Sequence, residues 1–224
     1  MISSTAKIYP NVRLAPECIV EDFVVLGKSP GFENESMRSL TVGSHAHFRC
    51  GTIIYCGTTI GENFVSGDYA KIREDNFIKD NVRVGSNTII ERESRIGSDV
   101  SIHSNCFIPE YTTIDDLVWI GPCVVVTNVL HPPCPYFKKD LVDRPRCLKG
   151  PTFRKGSIIG AGSIVLPGVT VGGRAVIGAA ALVTSDVPSE AVVVGSPAKV
   201  VGSIRDLKCP PGYYATGEIY NWRR

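Results

Sequence analysis

Residues 85–126 read GSNTII ERESRI GSDVSI HSNCFI PEYTTI DDLVWI GPCVVV, and every sixth position of that stretch is Ile or Val. A spacing of six fits neither the 3.6 period of a helix nor the strict alternation of a simple strand. Stepping outward by six from Ile90 gives Val42, Phe48, Ile54, Ile60, Ser66, Ile72, Ile78 and Val84 on one side. On the other it gives Ile96, Ile102, Ile108, Ile114, Ile120 and Val126. A later block in its own phase runs Phe153, Ile159, Val165, Val171, Ile177, Val183, and an earlier one Ile8, Leu14, Val20, Leu26. Of these 25 positions 24 are apolar, against about 11 expected from an overall 43%. Four residues after each comes a small or apolar side chain, as at Ala46, Thr52, Thr58, Ala70, Val82 and Ala181. The residue just after is often glycine, as at Gly43, Gly61, Gly97, Gly121, Gly160 and Gly178. Such a pattern describes short flat strands broken by a corner every six residues, with glycine easing the backbone there. Three segments close one triangular coil of 18 residues. Successive coils stack at the spacing of paired strands, about 4.8 Å. Each Ile or Val buried in the prism contributes about 1.5–3 kcal/mol.

Composition narrows the function classes. With 24 Lys+Arg against 22 Asp+Glu, the net charge of +2 gives no bulk case for nucleic acid, and the apolar content rules out a disordered polymer. Aromatics make up only 8%, so the core must come from aliphatic side chains, a strand composition. No apolar run is long enough to span a membrane. The opening MISSTAKIYP lacks the layout of a signal peptide, and a cytoplasmic location is the expectation. The eight cysteines (Cys18, Cys50, Cys56, Cys106, Cys123, Cys134, Cys147, Cys209) are then expected as reduced thiols, several of them acting as small hydrophobes.

Two polar segments break the period, residues 27–41 and 127–152. A solenoid tolerates insertions at its corners, and insertions on one face often build a binding site. After Val187 the pattern fades into a cap with a short helix and an irregular tail, residues 188–224. A cap is expected because an open coil end exposes unpaired strand edges.

The hexad column, carried over nearly the whole chain, resembles the hexapeptide-repeat acyltransferases. The resemblance implies a left-handed parallel β-helix over residues 1–187, an all-β single-stranded solenoid, although the general crossover rule favours the right hand. It also implies a homotrimer, with an acyl-CoA site between neighbouring helices. Within the family, VWIGPCVVVTNVLHP is similar to the galactoside and maltose O-acetyltransferases, which carry a catalytic His-Pro in an equivalent loop. That likeness gives His131 the role of base. Its chemistry suits the role, since imidazole titrates near neutrality and acyl transfer needs a proton acceptor. The Thr127-Asn128 pair resembles that of the nucleotide-sugar N-acetyltransferases, and an amide there can orient the thioester or the substrate amine by hydrogen bonds. Both features in one loop leave O- and N-acylation open.

Counting back 18 residues per coil from Thr127-Asn128 reaches Pro109-Glu110, Glu91-Arg92 and Arg73-Glu74, which should share one edge with the loop. The segment SGDYAKIREDN, residues 66–76, also holds Ser66, the polar break in the column. Asp68, Arg73, Glu74, Glu91 and Glu110 are the resulting substrate-side candidates, weighed against a merely solvated charged edge. The segment from Ser157 to Val201 resembles the family's coenzyme end. On the galactoside acetyltransferase pattern Gly160, Ala161 and Ala179 lie at pantetheine corners, Thr184 lies nearby and Lys199 is a phosphate-binding base. The second basic position of that pattern falls on Gly202, with Arg205 as a replacement.

A γ-class carbonic anhydrase site needs three converging histidines, and His45, His47, His103 and His131 have no pair separated by whole coils. His131, Cys134 and Cys147 are zinc-type ligands but only three in number. No metal is therefore expected. The expected activity is acetyl-CoA-dependent acetylation of a sugar, with a nucleotide-linked amino sugar favoured over O-acetylation of another sugar. A non-catalytic trimeric scaffold and a metal hydratase are the other classes.

Overall fold

The computed structural model describes residues 1–31, 38–132 and 148–218. The hexads form strands of two to five residues that sort into three sheets. The first sheet runs Lys7–Ile8, Val25–Lys28, Ile53–Tyr55, Lys71–Ile72, Ile89–Ile90, Phe107–Ile108, Val125–Val126, Ile164–Val165 and Leu182–Val183. The second contains Thr59–Ile60, Phe77–Ile78, Arg95–Ile96 and their equivalents. The third contains Val65–Ser66, Arg83–Val84, Ser101–Ile102 and theirs. Within each sheet a strand pairs in parallel with the strand one coil later, Ile72 against Ile90 and Ile90 against Ile108. The hexad column thus sets the coils of an all-β parallel solenoid, the left-handed β-helix that the family resemblance implies. The step of 18 lengthens to 28 at Val12↔Leu40 and to 39 at Thr113↔Thr152, so both excursions leave the winding intact.

The column fills the prism. Ile54, Ile72, Ile90 and Ile108 are fully buried, one above the next. Ser66 is no break in function: its buried hydroxyl lies 2.8 Å from Thr52 Oγ1 and accepts the Arg49 amide at 3.0 Å. The corners differ from the expectation in one respect. The left-handed backbone falls on Asp75, Asn81, Asn87, Glu93 and Asp99, three residues after each column residue. Gly121 and Gly160 sit elsewhere and are required by close approach instead. A Cβ on Gly160 would stand 2.5 Å from the Ala179 amide of the next coil, and one on Gly121 2.8 Å from that of Ala161.

The coil end is closed by a hairpin, Ala191–Val194 against Lys199–Ser203, followed by a three-residue 3-10 turn, Ile204–Asp206. The expected short helix is thus a single turn, held by a capping box between Ser203 and Asp206. The six described cysteines are thiols rather than disulfides. Among the described residues no helix is long and apolar enough to cross a membrane.

Candidate active site

Parallel coils place residues 18 apart on one edge, so the corner between the first and second sheets stacks Tyr55, Arg73-Glu74, Glu91-Arg92, Pro109-Glu110 and Thr127-Asn128. Polar side chains inside the prism pin this corner. Thr58 Oγ1 and Asn76 Nδ2 donate to the Arg73 carbonyl at 3.0 and 2.7 Å. Ser94 and Thr112 hydroxyls donate to the Pro109 carbonyl at 3.1 and 2.7 Å. Buried carbonyls that a corner leaves unpaired are thereby satisfied, and the outward side chains are held on a rigid rail.

Those side chains form two networks stacked one above the other. Asn128 is buried and its Nδ2 donates to Glu110 Oε2 at 3.2 Å and to the Glu110 carbonyl at 3.3 Å. Both neighbours are acceptors, which fixes the amide's orientation and turns its Oδ1 away from the carboxylate. Arg92 Nε donates to the other oxygen of Glu110 at 3.2 Å. One coil further down, Arg73 forks onto both oxygens of Glu74, at 2.8 and 3.1 Å, and reaches Glu91 Oε2 at 3.5 Å. The Glu74 side chain is only 4% exposed, so this fork is what makes its burial tolerable. Burial opposes the Arg73 charge, but bonding to Glu74 and its negative charge hold the guanidinium above its ordinary pKa. Burial also pushes the Glu91 carboxyl up, opposed by Arg73 and reinforced by Glu110 and Glu74.

Of the nominated residues, Asn128, Glu110, Glu91, Glu74 and Arg73 are therefore brought together. His131 is exposed, three residues beyond Asn128 in the bend that opens the long excursion, and has no partner among the described residues. The neck of that excursion is closed by the Lys149 amide on the Asn128 carbonyl at 2.8 Å and by an antiparallel bridge between Val129 and Leu148. Asp68 lies apart. It sits on the edge between the third and first sheets, its amide bonded to Ser86 Oγ at 3.1 Å. Ala161 and Ala179 stand further along that same edge, exposed and carrying nothing beyond Cβ, with Gly160 packed beneath Ala179. Thr184 follows Leu182–Val183 and so belongs to the Asn128 edge. Lys199 opens the last strand, paired with Val194 and exposed. Arg205 places both Nε and Nη2 on Glu190 Oε2, at 3.1 and 2.8 Å, so its charge is already countered.

Three participants escaped the sequence reading. Arg92 lies on the counted edge, but its own role shows only in its bond to Glu110. Tyr55 is one further step of 18 back, and its ring lies 5.0 Å from the Arg73 guanidinium. Lys28 lies 5.4 Å from the same ring at the end of Val25–Lys28, inside the segment 27–41 read as the first excursion, where the count of 18 no longer holds. Among the described residues no three His, Cys, Asp or Glu side chains converge on a metal position. His45 and His47 pair with Glu17 and Glu21, at 2.9 and 2.6 Å, and the His103 ring sits 4.8 Å from that of Trp119. Cys134 and Cys147 lie outside the described residues.

Comparison with known proteins agrees with the geometry. The chain is 30% identical over 150 residues to the galactoside O-acetyltransferase of Escherichia coli, a match covering 65% of this chain and 69% of that protein. It is 37% identical over 123 residues to the serine acetyltransferase of Buchnera aphidicola, covering 52% of this chain. The chain spans under half the length of that relative, 44%. In fold it is similar to the Arabidopsis UDP-N-acetylglucosamine acyltransferase, with a TM-score of 0.58 over 91% of this chain and 74% of that one at 16% identity. No family model matches. An 18-residue coil wound on an aliphatic column, together with the likeness to the galactoside enzyme, makes the chain a member of the hexapeptide-repeat acyltransferases.

Proposed function

We propose that this protein transfers the acetyl group of acetyl-CoA to the amine of a nucleotide-linked amino sugar, in the cytoplasm and as a homotrimer. The observation that carries the reading is the Asn128–Glu110–Arg92 network at the mouth of the loop holding His131. An amine nitrogen held near Asn128 attacks the thioester carbon, the carbon–sulfur bond breaks, and the thiolate departs. His131 accepts the proton that the nitrogen loses, and Asn128 orients the amine through its Oδ1. The acetyl donor lies along the edge of Ala161 and Ala179, whose small exposed corners leave room for an extended arm, with Lys199 toward its phosphates. This edge is one wall from the Asn128–Thr184 edge of the same chain, so in the trimer it meets the Asn128 edge of a neighbouring subunit. Support for the trimer comes from the outer face of the first sheet. Val25, Ile53, Ile89, Phe107, Val125, Ile164 and Leu182 form an outward ladder interrupted only by Lys71. Phe107, Val125 and Ile164 are each about two-fifths exposed, an apolar stripe of the kind that marks an interface.

O-acetylation of a sugar hydroxyl is the second reading, favoured by the His131-Pro132 pair and by the galactoside O-acetyltransferase relative. The two separate in an assay of thiol release from acetyl-CoA against nucleotide-linked amino sugars and free sugars. Release with an amino sugar and none with its hydroxyl counterpart supports N-acylation; the reverse selects the second reading. No release with any sugar, and no binding of acetyl-CoA at millimolar concentration, supports a scaffold instead.

A further inference from the structure

We infer that the edge carrying Asn128 is a charge-separated cradle for a nucleoside diphosphate joined to an amino sugar, with the diphosphate at Lys28 and Arg73 and the amine at Glu91 and Glu110. The inference rests on the amine-acceptor reading and adds the orientation of the acceptor and the groups that hold each end.

The lower end is cationic. Lys28 and Arg73 approach the same Tyr55 ring, at 5.4 and 5.0 Å, with Lys71 on the strand that leads into Arg73. Glu74 counters Arg73 and Asp75 is paired with Arg38, which leaves Lys28 as the cation in excess at this end. Lys28 forms no ion pair among the described residues. Tyr55 stands between the two cations in register, and an anion bridging them past the ring offsets their mutual repulsion while keeping the cation–π contacts.

The upper end is anionic. Glu93 and Glu110 face the single guanidinium of Arg92, and Glu91 adds a third carboxylate on this part of the edge. Glu110 has both oxygens engaged, by Arg92 and Asn128, whereas Glu91 receives only the 3.5 Å contact from Arg73. Glu91 is thus the carboxylate with acceptor capacity left, and an ammonium group is its complement.

Length supports the pairing of the two ends. Coils rise by about 4.8 Å, so Glu91 stands about 10 Å and Glu110 about 14 Å above the Tyr55 level. In a diphosphate-linked 4-amino hexose the amine and the farther phosphorus are eight single bonds of about 1.5 Å apart, on the order of 10 Å once projected. A diphosphate bridging Lys28 and Arg73 therefore delivers its amine to Glu91, two coils below Asn128 and one below the Glu110 carboxylate that Asn128 engages.

The test is titration calorimetry of the full chain with UDP, dTDP and coenzyme A, run beside acetyl transfer. One of the two nucleotides is expected to bind. Lys28→Ala should weaken that binding by about tenfold or more, the loss of one charge-assisted contact. Lys28→Arg should recover most of it, and coenzyme A affinity should not move. Glu91→Gln should leave the nucleotide affinity in place and raise KM for the amino-sugar acceptor. Unchanged nucleotide binding in a folded Lys28→Ala variant, or a nucleotide that competes with coenzyme A rather than with the acceptor, overturns the cradle. Lys28-dependent nucleotide binding without acetylation of any amine overturns the amine-transfer reading while keeping the diphosphate end, so the two failures are distinguishable.

Discussion

The Arg73–Glu74 fork gives the sharpest quantitative prediction. Arg73→Met removes both donors from a carboxylate that is 4% exposed and leaves it uncompensated. Breaking a buried pair from one side costs about 3–5 kcal/mol. The Arg73 side chain is itself 29% exposed, so solvent screens part of the interaction and the expected loss is nearer about 2–3 kcal/mol. In a chain of this size that corresponds to a fall in Tm of about 4–12 °C. Glu74→Gln in the Arg73→Met background removes the orphaned charge and should recover at least half of the loss, so the two changes are strongly non-additive. The assay is urea unfolding of the wild type, both single variants and the double variant at one protein concentration, since assembly shifts the midpoint. Additive effects, or an Arg73→Met midpoint equal to wild type, would refute the claim that this fork is what permits Glu74 to be buried at the site.

Four further outcomes follow from the same geometry. His131→Ala should lower turnover at least about a hundredfold while leaving coenzyme A binding intact, read by steady-state kinetics and calorimetry; an unchanged rate shifts the proton to another acceptor. Burial raises the Glu91 pKa, so its charged form destabilises the fold above the unfolded-state carboxylate pKa, and the penalty vanishes as pH falls below it. Glu91→Gln should accordingly raise the unfolding midpoint at pH 8 but not at pH 4. Ile90→Ala, at a fully buried column position, should cost about 2–5 kcal/mol by urea unfolding, and a smaller loss argues against a close-packed prism. Gly160→Ala pushes a methyl to 2.5 Å from the Ala179 amide and should cost about 1–3 kcal/mol, whereas the same change at Gly173, whose nearest neighbour stands 3.4 Å away, should cost less in the same assay.

The fold was legible because one rule repeats. Ile72, Ile90 and Ile108 recur at a fixed interval, and a parallel coil turns that interval directly into stacking. The same interval carried Arg73, Glu91 and Glu110 to the Asn128 edge without further information. What stayed hidden depends on contacts outside the repeat. Lys28 meets Tyr55 across an excursion of another length, and Arg205 is committed to Glu190 through a cap that has no period. Ser66 looked like a signal because it is polar, yet Thr52 supplies the inward partner that makes it ordinary core. Asp68 is close to Arg73 in sequence but a whole wall away, since one strand and its corners separate them.

The uniform rise of the prism makes it a molecular ruler. The gap between Tyr55 and Asn128 is counted in whole turns rather than shaped by loops. Splicing out one complete turn, such as residues 73–90, brings the two ends nearer by a single fixed increment and leaves every surviving wall in register. Reach along this edge is therefore adjustable only in integral steps, and acceptors of intermediate length must bend to fit.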